Sequence, residues 1–243
     1  MSNAFDETAW QTAIRKPDWY IKLYPELKRL RAHWEKDPEN KDAQNIKREV
    51  RDFFEQALRE STIALADYGP NLDAQREPID TIIIHHTGSE PGYSLSYMNA
   101  VQMLNIYVPY FNNPTISGEE GLRGHPLWSN HVRDGRPVFY VYHWLLRMNG
   151  NVDRLLHDRD LGWHAANWDI NRRSVAICLD NDYEQKDPAP ELLRQLGDFI
   201  SQRYPRVQPE RIFGHSEVSR KKTQCPGVNF VSGWKKELLK LLK

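Results

Sequence analysis

A run of four β-branched residues, Thr81 to Ile84, sets the strongest limit on how this chain can fold. The segment "IDTIIIHHT" (79–87) is too short and too β-branched for a helix, and it predicts a strand buried in a sheet. Strand and helix patterns alternate after it. This alternation favours an α/β fold with a mixed central β-sheet flanked by helices.

The segments that follow supply the other elements of that sheet. "RPVFYVYHWLLRMNGNVDRLL" (136–156) predicts two strands joined by a turn at Asn149-Gly150-Asn151. Two more strands are predicted within 172–180 and 211–217, and helical spacing returns at 190–204 and 230–242.

Helical spacing also dominates the first part of the chain, where Pro25 is expected to interrupt one segment. We therefore predict a helical N-terminal extension over 1–76, which packs on a domain over 77–243. Gly, Pro, Asn and Ser clusters mark 89–136 as an insertion with one helical pattern at 96–108. Packing is the favoured role of the extension, with partner binding or localisation as the alternative.

Composition excludes several classes of protein. The 243 residues include 33 basic and 33 acidic side chains, so the formal net charge is zero. This charge balance does not favour electrostatic binding to nucleic acid or to an anionic membrane. No apolar run reaches the length of a membrane helix, and the N-terminus has no signal-peptide pattern. Two cysteines, Cys178 and Cys225, cannot form a disulfide framework.

A candidate metal site emerges from residues that follow predicted strands. His85 and His86 end the first strand, His215 follows a later one, and Cys225 stands ten residues beyond it before Pro-Gly. Imidazole and thiolate suit Zn²⁺, and catalytic zinc usually has three protein ligands and one open position. Neighbours in a strand point to opposite faces, so only one of the paired histidines is expected to join the site.

Four ordered motifs resemble one known family. "IIIHHT", "YHWLLRMNGNV", "GWHAANWDINRRSVAICL" and "GHSEV…TQCPG" are similar to those of type-2 N-acetylmuramoyl-L-alanine amidases, which include phage lysozyme-type amidases and peptidoglycan recognition proteins. The resemblance covers 78–234 without the insertion. It implies hydrolysis of the amide between N-acetylmuramic acid and L-alanine, with peptidoglycan or a muropeptide as substrate.

The resemblance also assigns the metal ligands. It implies that Zn²⁺ is the cofactor and that His85, His215 and Cys225 hold it, whereas His86 matches no ligand position. Relatives without the cysteine either carry aspartate there or only bind peptidoglycan, so Cys225 favours a hydrolytic member. A buried, inert thiol is the alternative for Cys225.

Three further residues match catalytic positions of the family. The resemblance implies that Tyr142 and Thr223 stabilise the tetrahedral oxyanion. It sets His164 at the rim of the cleft, where it could pass a proton to the leaving amine. The spacing from His215 to Cys225 is longer than is common in the family, so Lys221 or Lys222 could replace Thr223.

Substrate contacts are expected from the segment after His164. Asn167, Arg172 and Arg173 could bind the stem peptide, since a carboxylate suits an arginine; a solvated loop is the alternative. Cys178 occupies a core-strand position and is expected to pack there.

Two other functions stay open on the sequence. A peptidoglycan-binding recognition module could keep the ligands without significant hydrolysis. A closed structural zinc site would need a fourth ligand, which His86 or His164 could supply.

Overall fold

The structure, a computed structural model, describes residues 5–16, 19–37, 39–60, 62–64, 72–88, 91, 132–133, 136–137 and 141–242. These residues fall into two compact units, one with the helices before residue 70 and one with the main sheet. The predicted helix at 96–108 and most of the 89–136 insertion lie outside the described residues. The domain boundary at 76/77 stays a prediction.

The described residues of the first unit before position 70 form three helices: α1 (Glu7–Ala13), α2 (Trp19–Lys36) and α3 (Lys41–Arg59). Asp6 and Asn40 cap α1 and α3, because their side chains accept hydrogen bonds from the backbone N–H groups of Ala9 and Ala43. Edge-to-face aromatic pairs fill the space between the helices, with ring centroids 5.0–5.9 Å apart. The predicted helical extension is therefore present.

The prediction that Pro25 interrupts its helix is wrong. Pro25 lies inside a continuous α2. Proline removes one backbone hydrogen bond, but the helix keeps its apolar face packed, since Leu23, Leu27 and Leu30 are all buried. Tertiary packing outweighs the local propensity here.

The second unit is built on a five-stranded sheet. Its strands are β1 (Thr81–His86), β4 (Trp144–Leu146), β5 (Val152–Arg154), β6 (Ser174–Leu179) and β7 (Ile212–Gly214), in the order β5-β4-β6-β1-β7. β1 runs parallel to both β6 and β7, β4 is parallel to β6, and β5 is antiparallel to β4. Two short strands that belong to the first unit, β2 (Val132–Arg133) and β3 (Arg136–Pro137), pair with each other.

Helices α5 (Pro190–Arg203) and α7 (Lys235–Leu241) cover one face of this sheet, here named the helix-covered face. Leu196, Ile200 and Leu238 from these helices are buried there. The strands supply alternate apolar side chains to the same core: Ile82, Ile84, Trp144, Leu146, Val175, Ile177 and Leu179. This core holds the sheet in register.

The intervening strand residues form the opposite face, here named the histidine face. Its buried members are Thr81, Ile83, His85, His143, Leu145, Ser174, Ala176 and Cys178. Helix α4 (Trp168–Asn171) contacts β6, and α6 (His215–Val218) follows β7 directly. The prediction of a mixed sheet flanked by helices is confirmed.

None of the helices in the described part of the chain has the length and apolar character needed to cross a membrane.

Candidate metal centre

The parallel pairing of β1 and β7 brings the first two predicted ligands together. Ile84 pairs with Gly214, so His85 and His215 are the next residues at the carboxyl ends of two neighbouring strands. Their ring centroids lie 4.7 Å apart. Carboxyl ends of parallel strands are the usual place for a site in an open α/β sheet.

Cys225 joins these histidines from a loop distant in sequence. The backbone N–H of Ser216 donates to its carbonyl (2.8 Å), which ties the loop to the start of α6. Its Sγ lies 3.6 Å from Nδ1 of His85. One ligand atom from each of His85, His215 and Cys225 lies within 4.8 Å of the others, which is the geometry of a site that could hold a metal ion.

The donor set suits Zn²⁺. Two imidazoles and one thiol are the soft and borderline donors that zinc prefers. Nε2 of His215 is buried and has no hydrogen-bond partner among the described residues. A buried polar atom without a partner is unfavourable unless something else, such as a cation, satisfies it.

Burial suppresses charge at the cluster. It lowers the pKa of His85 well below its usual value, and it lowers the pKa of His215 to about 4. Burial also raises the pKa of the Cys225 thiol to about 12. All three groups are neutral near pH 7 without a metal, and a bound cation would favour the thiolate.

His86 turns away from the ligand cluster, as strand alternation predicts. Its Nδ1 accepts a hydrogen bond from the backbone N–H of Tyr183 (2.9 Å) and lies 3.5 Å from Asp182. Its backbone N–H, however, donates to the sulfur of Cys225. His86 therefore contributes its main chain, not its ring, to the site.

His164 is buried against His85. Its Nδ1 is 3.1 Å from Nε2 of His85, and its Nε2 is 3.2 Å from Oγ of Ser174. Only 4% of His164 is exposed, whereas the sequence predicts a position at the rim of the cleft. Burial lowers its pKa well below the usual value for histidine. Its part in proton transfer stays a prediction.

The other predicted catalytic residues also lie beside the cluster. The ring of Tyr142 is 4.9 Å from that of His85, and burial raises the pKa of its phenol well above the usual value. Thr223 accepts a hydrogen bond from the backbone N–H of Cys225 through its hydroxyl (3.2 Å). Lys221 and Lys222 are exposed.

The structure does not bring the two predicted substrate-binding arginines to the cluster. Arg172 pairs with Glu77 (2.5 Å) and Arg173 with Asp80 (3.3 Å), just before β6 begins. His85 pairs with Cys178, four residues further along β6 than Ser174, or roughly 13 Å at the rise of a strand. Their role in substrate binding stays a prediction.

Asn167 contacts the helix that begins with His215. Its amide donates to the carbonyl of Val218 (3.1 Å) at the end of α6, the helix that begins with His215. Its Oδ1 is buried without a partner among the described residues. Asn167 thus connects the His164 segment to the ligand-bearing helix.

Two residues of the histidine face have structural roles. The ring of His143 accepts from the N–H of Ala176 (3.1 Å) and donates to the carbonyl of Asp160 (2.9 Å). Cys178 is fully buried in β6. Ser174 is not predicted from the sequence as a site residue, although it is a polar residue at the start of an otherwise apolar strand.

The chain is similar to one protein family and to one curated relative. The family model described as N-acetylmuramoyl-L-alanine amidase matches residues 75–228, which include all three cluster residues. A curated relative, the 1,6-anhydro-N-acetylmuramyl-L-alanine amidase AmpD of Haemophilus influenzae, is 29% identical over 96 residues, or 36% of this chain and 52% of its own. The chain thus spans about half the length of this relative.

Similar solved structures include two endolysins. One is the N-acetylmuramoyl-L-alanine amidase LysCS from Clostridium intestinale, with 18% identity, a TM-score of 0.43, and coverage of 74% of this chain and 95% of its own. The other is the endolysin of the Thermus scotoductus bacteriophage Ph2119, with 20% identity, a TM-score of 0.40, and coverage of 69% and 87%. Because the family model matches most of the chain, the protein belongs to the N-acetylmuramoyl-L-alanine amidase family.

Proposed function

We propose that this chain is a zinc-dependent amidase that hydrolyses the bond between N-acetylmuramic acid and L-alanine in peptidoglycan or muropeptides, and so contributes to cell wall degradation. The observation that carries the proposal is the cluster of His85, His215 and Cys225 in a member of this family. The full set of two imidazoles and a thiol favours hydrolysis over recognition alone.

His85, His215 and Cys225 would hold the zinc ion. When bound, zinc supplies a Lewis acid for the scissile carbonyl and activates a water for attack. The described cluster includes neither His86 nor His164. This supports an open catalytic site over a closed structural site, which would use a fourth protein ligand.

Tyr142 and Thr223 would stabilise the oxyanion that develops on the substrate carbonyl. The raised pKa of Tyr142 keeps its phenol protonated, so it can donate a hydrogen bond. Thr223 accepts from the N–H of Cys225, which leaves its own hydroxyl proton available to the substrate.

The family resemblance implies the remaining roles, which are proton transfer and substrate binding. His164 would pass a proton to the leaving amine of L-alanine, for which one of its two ring hydrogen bonds, to Ser174 or to His85, would have to open. Asn167, Arg172 and Arg173 would contact the stem peptide. Arg172 and Arg173 form ion pairs with Glu77 and Asp80 away from the metal cluster. They could therefore contact only a substrate that extends that far from the cluster.

The preferred form of the substrate is a separate part of the proposal. The Haemophilus influenzae relative is named for a 1,6-anhydro-N-acetylmuramyl substrate. We propose soluble 1,6-anhydro-muropeptides and intact sacculi as the two candidate substrates. Release of stem peptide from each, measured side by side, would rank them.

The two cysteines give a matched test of the site. Cys225→Ala should abolish zinc binding and stem-peptide release, whereas Cys178→Ala should preserve both, since Cys178 is buried in β6. Zinc content is measured by elemental analysis and peptide release by chromatography.

Equal zinc content and activity in the Cys225→Ala and wild-type proteins would overturn the ligand assignment. If the wild-type protein binds zinc and muropeptide without releasing stem peptide, the recognition module is the correct function.

A further inference from the structure

A hydrogen-bonded chain runs along the histidine face from a backbone carbonyl to the metal cluster. The hydroxyl of Ser174 donates to the carbonyl of Ile170 at 2.7 Å. The same oxygen lies 3.2 Å from Nε2 of His164, and Nδ1 of His164 lies 3.1 Å from Nε2 of His85. Four groups are thus joined in one line.

Proton counting fixes the direction of every bond in this chain. The Ser174 hydroxyl has one proton, and the shorter of its two contacts, 2.7 Å to the Ile170 carbonyl, can form only if Ser174 donates that proton. Its oxygen must then accept from Nε2–H of His164. A neutral imidazole carries one proton, so Nδ1 of His164 is a bare acceptor and receives Nε2–H of His85.

The consequence appears at the far end of the chain. With its proton on Nε2, His85 turns an unprotonated Nδ1 toward Sγ of Cys225, 3.6 Å away. Only an unprotonated ring nitrogen binds a metal. The opposite tautomer would direct an N–H into the cluster and block it.

The surroundings hold His164 in place. Its backbone N–H and that of Ala165 both donate to the side-chain oxygen of buried Asn171, at 3.3 and 2.8 Å. A Cβ at Gly162 would lie 2.6 Å from the carbonyl oxygen of Val141 and 3.2 Å from the His164 ring. Gly162 therefore lets the chain pack closely against the His164 ring, and a larger residue at this position would push the ring away.

We propose that Ser174 and His164 are positioning residues that hold His85 in the Nε2–H tautomer and thereby set the zinc affinity of the site. The inference rests on the proposed zinc site, but it does not depend on hydrolysis. Partners that orient a metal-binding histidine typically change metal affinity by about tenfold to a hundredfold when they are removed.

Nitrogen NMR of the metal-free protein tests the tautomer directly. With ¹⁵N-labelled histidine, the His85 signals, assigned by their loss in His85→Gln, should show a protonated Nε2 and a bare Nδ1. Ser174→Ala should give a mixture of tautomers, because His164 is then free to reverse its proton. A wild-type His85 with its proton on Nδ1 would overturn the proposal.

Zinc affinity, measured by competition with a chelating dye, gives the second readout. Ser174→Ala and His164→Leu should bind zinc about tenfold to a hundredfold more weakly. His164→Asn should retain most of the affinity, because its amide oxygen can accept from Nε2–H of His85. Thr81→Val is the matched control, since Thr81 pairs with Ser174 in the sheet and is also fully buried.

The outcomes separate this inference from the proposed function. Wild-type affinity in both Ser174→Ala and His164→Leu would overturn the positioning role while leaving a zinc amidase intact. Weakened zinc binding in these variants of a protein that releases no stem peptide would support the positioning role and reject the amidase. If His164 acts only as a proton donor, His164→Asn and His164→Leu will lose turnover equally and bind zinc normally.

Discussion

The two faces of the central sheet are built by alternate residues of the same strands, and they differ sharply in chemistry. The helix-covered face is apolar, with Ile82 and Ile84 packed against α5 and α7. The histidine face is equally buried but carries His85, His143 and Ser174. One face thus supplies packing energy, while the other holds polar groups that need specific partners.

Burial without partners would make the histidine face unstable. The rings of His143 and His164 and the hydroxyl of Ser174 are each hydrogen-bonded. In the metal cluster next to this face, Nε2 of His215 is buried and has no hydrogen-bond partner among the described residues, as is also true of Oδ1 of Asn167. A cation bound by the cluster would satisfy Nε2 of His215.

The largest expected effect separates the two histidines of "TIIIHHTG". His85→Ala should lower the rate of stem-peptide release by about a thousandfold or more. Loss of the metal removes several kcal/mol of transition-state stabilisation, and about 1.36 kcal/mol corresponds to a factor of ten in rate. His86→Ala should lower it by less than about tenfold, since its main-chain bond to Cys225 remains. Steady-state kinetics of the two variants provide the comparison, and equal losses would contradict it.

Truncation in the helix-covered face should affect stability without affecting the metal. Leu196→Ala removes a fully buried side chain and should lower the free energy of unfolding by about 2–5 kcal/mol. Urea titration measures this loss, and dye competition should show unchanged zinc affinity. A large change in affinity would mean that the two faces are energetically coupled.

Zinc should stabilise the fold through the histidine face alone. At a free zinc concentration one hundred times its Kd, the free energy of unfolding should rise by about 2.7 kcal/mol. The increase should vanish in Cys225→Ala and persist in Leu196→Ala. Urea titrations with and without zinc measure it.

Acid should weaken the metal-free protein through the same face. Burial lowers the pKa of His215 to about 4 and also lowers the pKa of His85 and His164. The unfolded chain therefore binds more protons below pH 6.5, and stability should fall as the pH drops from 6.5 toward 4. Unfolding of the metal-free protein at a series of pH values measures this slope, which His215→Gln should reduce.

The smallest expected effect compares packing on the two faces. Ile83 and Ile84 are adjacent in β1, both fully buried, and they point to opposite faces. Replacement of either by Val should cost about 0.5–1.5 kcal/mol of unfolding free energy. A much smaller cost for Ile83→Val would mean that the histidine face is loosely packed.

Local patterns in the sequence predicted β1, β5 and β6 for clear physical reasons, but the strand predicted from residue 136 is divided: Arg136–Pro137 pairs with β2, and the main sheet takes only Trp144–Leu146. β-branched residues and short apolar runs identify β1 and β6, and Asn149-Gly150-Asn151 forms the turn before β5, where Gly150 takes a φ of 85°. Pro25 misled the prediction because its penalty is local, whereas the packing that outweighs it comes from other helices.

The site was predictable in part. Alternation in β1 limits the paired histidines to one ligand, and the family resemblance selects His85 with His215 and Cys225. Ser174 could not be predicted as a site residue, because a serine at the start of a strand does not indicate which side chain it contacts. Its role depends on a contact with His164 that only the folded chain creates.

By itself, the sequence determined the type of fold, the order of the strands along the chain and the residues able to bind a metal, because propensity and alternation are local properties. Only the tertiary structure decided which of these residues meet. The parallel pairing of β1 with β7 sets His85 beside His215, and the loop return adds Cys225 from 140 residues away. Hydrogen-bond direction along the Ser174–His164–His85 chain is likewise a property of the packed structure, since it depends on which acceptor each proton can reach.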